Sequence, residues 1–158
     1  MRKLIALATF ATAAACSTSP QSYVVTTPQP VDAAFGCATR QINQMGYTIS
    51  NTNSAGGLIV AERQSSGLAT RFLTGTTSRD QLTVSIFDGA TPGTRQIRVT
   101  AAETSEHTNL ITTGHQGASK PSDKAVADAN ALLLACGAGP VSRQSSTVYG
   151  VLARFPGE

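Results

Sequence analysis

Two histidines, His107 and His115, stand in a polar stretch with Glu103 and Glu106. Imidazole and carboxylate are the groups that bind zinc or carry protons, and Glu103, His107 and His115 can be drawn around one ion. Such a site needs three or four converging ligands oriented by further hydrogen bonds, whereas two histidines in a loop usually face water. The same imidazoles suit a Ser-His-Asp relay, yet no Gly-x-Ser-x-Gly elbow singles out one of the many serines. Asp80 with Asp88, and Glu103 with Glu106, are the carboxylate pairs open to general acid–base work, which demands a defined separation. Acids at strand edges and turns more commonly serve solubility. Gly56-Gly57 and Gly89 to Gly93 lack the lysine and the strand-to-helix setting of a phosphate loop and read as turns. No catalytic set, metal site or cofactor is expected; a hydrolase or metal-binding protein using His107 and Glu103 is the alternative.

The remaining reactive groups are three thiols, and the first of them ends a distinctive stretch, MRKLIALATFATAAAC. Arg2 and Lys3 make a positive start, and Leu4 to Ala15 is an uncharged apolar run of the length expected of the hydrophobic region of a signal peptide. A membrane-crossing helix needs roughly 20 apolar residues, and here Cys16 is followed at once by the polar STSPQS. The run is therefore read as a segment to be removed, residues 1–15. Ala13, Ala14, Ala15 and Cys16 resemble the lipobox of bacterial lipoproteins, with Ala13 where that family usually has leucine. The resemblance implies a diacylglyceryl group on the Cys16 thiol, cleavage before it and acylation of the new amine. Several acyl chains, at about 0.8 kcal/mol per buried methylene, make a durable anchor. Ser17 in place of the family's inner-membrane aspartate implies the outer membrane. Small residues at 13 and 15 also satisfy an ordinary secretory signal, which would leave a soluble periplasmic protein.

Export places Cys37 and Cys136 in an oxidising compartment, where two cysteines of one small domain are expected to bond. Closing a loop of about 100 residues stabilises by roughly 4 to 5 kcal/mol in the chain-entropy treatment. Neither thiol belongs to a Cys-x-x-Cys redox pair.

Lys and Arg number 12 against 9 acids, and removing Arg2 and Lys3 with the signal leaves 10 against 9. The mature chain is near neutral, its arginines are interleaved with acids, and aromatic residues are 5% with no tryptophan. Nucleic acid is thereby excluded as a partner, since it calls for a concentrated basic face or stacking platforms.

The patterns that position these groups begin after a short linker, 16–22. Tyr23 to Thr27 predicts a strand, closed by Pro28 and Pro30. Val31, Ala34, Phe35, Ala38, Ile42 and Met45 form one helical stripe, with Asp32 in the first turn and Gly46 as the stop. Tyr47 to Ser50 and Leu58 to Arg63 predict a hairpin around a polar turn. Residues 64–80 are rich in Ser, Thr and Gly, and Leu68, Phe72 and Leu73 offer either a further strand or a pin to the core. Leu82, Val84 and Ile86 alternate with polar residues, as do Ile97, Val99 and Ala101, predicting two strands of a sheet with one wet face. Asn109 to Thr113 is a candidate edge strand. Ser122 caps a second helix running to Cys136, and Gly137 and Pro140 stop it. Residues 140–158 have no sustained period; Val148 to Leu152 is a candidate strand.

The expected architecture is α+β: an antiparallel sheet of about five or six strands with two helices on one face, over residues 23–139, followed by a C-terminal tail, 140–158. In element order and in the stretch AFGCATRQINQMGYTISNTNSAGGLIVAER, the chain resembles the helix-grip domains of the lipoprotein C subunit of the bacterial β-barrel assembly machinery. That resemblance implies a non-enzymatic binding or scaffold module in an envelope protein assembly, held to the membrane by its lipid. The candidate contact surfaces are the wet sheet face and the long 65–79 loop with Arg71, Phe72 and Arg79.

Overall fold

The computed structural model describes residues 19–67, 69, 73–108 and 113–144. Their order is β1 (Gln21–Thr27), α1 (Val31–Gln44), β2 (Thr48–Asn53), β3 (Leu58–Gln64), β4 (Thr76–Asp88), β5 (Arg95–Thr108), β6 (Thr113–Ser119), α2 (Asp123–Cys136) and β7 (Ser142–Gln144). All pairings are antiparallel. The class is α+β, as expected, but the sheet has seven strands rather than five or six.

The strands are ordered β2-β3-β4-β5-β1-β7, with β6 also on β5. β5 shares one of its edges between two partners: Gln21 of β1 lies opposite Ala101, and Ser119 of β6 lies opposite Glu103. β6 and β1 therefore lie end to end. The ladder of β4, β5 and β6 projects past the start of β1 as a three-stranded wing.

Local chemistry accounts for the joints. In α1 the side chains that disappear from solvent are Ala34, Ala38 and Ile42, four apart on one stripe. Gly46 ends the helix at φ 78°, a left-handed conformation that carries little cost only without a side chain. Gly57, at φ 62°, closes the β2–β3 hairpin. Its carbonyl accepts from the Ile86 N–H at 2.8 Å, and a β-carbon there would strike the Ile86 carbonyl oxygen. At the start of α2 the Ser122 Oγ accepts from the Ala125 N–H at 3.1 Å, and Asp123 adds a favourable charge to the first turn.

Both helices lie on one face of the sheet: α1 packs on β4 and β2, α2 on β1, β5 and β4, and each on the other. Beneath them, Val25, Ile59, Ala61, Leu82, Val84, Ile97 and Val99 meet Ala38, Ile42, Ala129, Leu132 and Leu133 in one core. Each fully buried Leu or Ile contributes about 1.5–3 kcal/mol. Cys37 and Cys136 form the expected disulfide, with Cα atoms 5.8 Å apart, tying α1 to the end of α2.

Three expectations are corrected. Leu73 is 85% exposed, so it pins nothing to the core; Leu68 and Phe72 lie outside the described residues. β4 starts at Thr76, well before the first apolar inward residue, because its threonines and serines are held by β5 rather than by burial. Of the candidate edge strand Asn109 to Thr113, residues 109–112 lie outside the described residues, and Thr113 opens the described strand β6. Pairing also continues past residue 139, since Ser142–Gln144 adds to β1; Val148 to Leu152 lies outside the described residues. Among the described residues no helix is long and apolar enough to cross a membrane.

Candidate functional site

The sheet has two very different sides. On the covered side, Ile59, Ala61 and Arg63 point inward along β3, and Asp80, Leu82, Val84 and Ile86 do so along β4. The alternation that builds the core thus also delivers one cation and one anion to its rim. Arg63 and Asp80 are register partners, and α2 brings Asp128 to the other nitrogen of the same guanidinium.

The resulting contacts are short. Arg63 Nη2 donates to Asp80 Oδ2 at 2.8 Å, and Arg63 Nη1 donates to Asp128 Oδ2 at 2.6 Å. The guanidinium lies over the Tyr47 ring, 4.3 Å from its centroid. Tyr47 Oη donates to Asp128 Oδ2 at 3.2 Å, and Lys124 Nζ reaches Asp128 Oδ1 at 3.2 Å from one helical turn away. Asp80 is 2% exposed.

The electrostatics follow from burial. Desolvation works against the Arg63 charge, but its bonds to Asp80 and Asp128 outweigh that and raise its pKa. Burial pushes the Tyr47 phenol well up; Arg63 opposes this, and the Asp128 and Asp80 charges add to it. Tyr47 stays a protonated donor at neutral pH. With Arg63 and Lys124 on its carboxylates, this group fastens α2 to the sheet. Two shallow depressions flank Arg63. One, of about 380 Å³, is bordered by Glu62 and Arg79; the other, of about 400 Å³, by Asp80, Ser122 and Lys124. Asp80 Oδ1 has no hydrogen-bond partner among the described residues.

The other side of the sheet carries neither α1 nor α2. Ser22, Gln81, Thr83, Ser85, Gln96 and Thr100 occupy its alternate positions, all partly exposed. Ser22 and Thr100 join hydroxyls at 2.9 Å. Phe87 is roofed by the Arg98 guanidinium at 4.9 Å, and Arg79 reaches Glu62 at 3.4 Å. Among the described residues this surface sets hydroxyl and amide donors and acceptors beside Val24, Leu58 and Val60, and Phe87 is covered by a cation.

The residues named from the sequence are scattered. Cys16, Arg71 and Phe72 lie outside the described residues, while Arg79 is exposed on the open face. Glu103 and His107 are four residues apart on one strand, about 14 Å along the backbone at 3.4 Å per residue. His115 sits opposite Glu106 in the ladder. Among the described residues no three metal-ligating groups gather. Asp80 and Asp88, eight apart on β4, are separated by roughly 27 Å. Asp80, far from serving solubility, is buried against Arg63, whereas Asp88 is 86% exposed and pairs with Arg95 at 3.1 Å. Sequence reading missed the Arg63, Asp80, Asp128 and Tyr47 group. Its signal was available: each charge falls on the inward phase of an element whose other inward positions are apolar.

No family model and no curated protein matches the chain.

Proposed function

We propose that this chain is an outer-membrane lipoprotein facing the periplasm, a non-enzymatic binding or scaffold module in an envelope protein assembly, anchored through Cys16. Its partner surface is the open sheet face or the 65–79 segment, of which Thr76 to Arg79 belong to β4. The carrying observation is the two-sidedness of the sheet: both helices are spent on one face and bonded to each other there. The other carries partly exposed hydroxyl and amide groups over its whole width. A disulfide between Cys37 and Cys136 suits an exported protein.

The test begins with intact mass and fractionation of the protein from bacterial membranes, native against Cys16→Ser. Cleavage before residue 16 with acyl groups that vanish in the variant is the expected result; an unmodified mass in the soluble periplasm overturns the anchor. A photo-crosslinker replacing Thr83 on the open face is expected to yield a discrete protein adduct in cells. The same group replacing Arg40 on the helix side should give none; equal adducts at both overturn the assigned surface.

A further inference from the structure

The chain enters the sheet at Gln21, five residues after Cys16. Five fully extended residues reach at most about 18 Å. From Ala101, the partner of Gln21, β5 runs seven residues to Thr108 and six the other way to Arg95, roughly 24 Å and 20 Å. Across the sheet, β2 lies four strands from β1, about 19 Å at 4.8 Å per strand. A lipid on Cys16 therefore cannot stand the domain on either end of the sheet, or on its β2 edge, without sinking protein into the bilayer. Within reach are the β6–β7 edge, the open face and the helix face.

Charge separates these. Thr113 to Ser122 and Val141 to Gln144 contain Lys120 and Arg143 and no acid. Gly117 to Lys120 and Ser142 to Gln144 are exposed. On the open face Arg79 is already paired with Glu62 and Arg98 lies over Phe87, and on the helix side the exposed Arg40 and Lys124 are offset by the exposed Asp32 and Asp123. Basic groups are drawn to an anionic lipid surface, and acids are repelled from it.

We infer that the anchored domain lies with its β6–β7 edge on the phospholipid headgroups, with Lys120 and Arg143 at the phosphates. This rests on the Cys16 anchor proposed above. The sheet then stands edge-on to the membrane, and its open face remains clear for a partner.

The experiment couples a maleimide phospholipid to Cys16 of the mature protein, the other two cysteines being bonded to each other. The product is inserted in vesicles of phosphatidylethanolamine and phosphatidylglycerol. p-Benzoylphenylalanine replaces Gly117, Arg143, Thr83, Arg40 or Asn53 in turn, each variant first checked for an intact disulfide. After irradiation, phospholipid adducts at 117 and 143 are expected to exceed those at the other three positions several-fold. Adducts strongest at 83 or 40, or equal at all five, overturn the inference. Because the lipid is attached chemically, this result is independent of whether cells acylate Cys16, which the mass measurement decides.

Discussion

Arg63 and Asp80 face each other directly across β3 and β4, and their side chains meet at 2.8 Å on the helix-covered side of the sheet. The same guanidinium holds Asp128 at 2.6 Å, so one side chain joins two strands to α2. A buried pair of this kind adds little over apolar residues of equal volume, but removing one partner leaves an uncompensated charge.

Arg63→Met is therefore expected to destabilise the domain by about 3–5 kcal/mol, the range for stranding a buried carboxylate. Urea unfolding followed by circular dichroism measures it. A loss below about 1 kcal/mol, the size of a surface pair, would show that Asp80 and Asp128 find water instead.

Tyr47 gives a pH dependence whose sign is set by its raised pKa. Its phenol ionises near 10 in the unfolded chain and higher in the fold, so its contribution is complete below pH 10. Above that pH the unfolded state loses the proton first and stability falls. At pH 11 the loss reaches about 1.4 kcal/mol. Tyr47→Phe is less stable at pH 8, having lost the bond to Asp128, but should show a correspondingly flatter decline between pH 9 and 11. Parallel declines in both proteins would assign the effect elsewhere.

The disulfide closes a sequence separation of 99 residues. Reduction, or Cys37→Ser with Cys136→Ser, is expected to cost about 4 to 5 kcal/mol in the chain-entropy treatment. Thermal melts with and without reductant provide the comparison, and coincident curves would mean that helix packing alone fixes the two ends.

Much of this architecture was legible in advance. The stripe Ala34, Ala38, Ile42 and the alternations at 82–86 and 97–101 identify both helices' side of the sheet, because burial imposes periodicity wherever apolar residues are available. The wing was not legible, since Thr76 to Arg79 and Thr113 to Ser119 are held by strand pairing with little apolar burial to mark their phase. β7 escaped for a related reason: Ser142, Arg143 and Gln144 are all exposed and owe their extended form to β1. The Arg63 group escaped because charge was read as a surface property. Asp80 sits two residues before Leu82 in the same inward phase, and Arg63 two after Ala61. A charged residue on that phase requires a partner across the core, which the sequence does not name but does demand.

The placement of β1 bears on the order in which the domain can assemble. β1 precedes every other described strand in the chain, yet its two neighbours are β5, which ends at Thr108, and β7, which ends at Gln144. Contacts between residues so far apart along the chain form slowly, because loop-closure entropy is lost before they can reward it. During synthesis from the N-terminus, β2, β3 and β4 can zip together through successive antiparallel connections while β1 waits. Its backbone stays open on one side until β5 arrives and on the other until the last described strand has emerged. The first described strand to be made is thus among the last to settle, leaving an interval in which the nascent domain carries an unpaired strand.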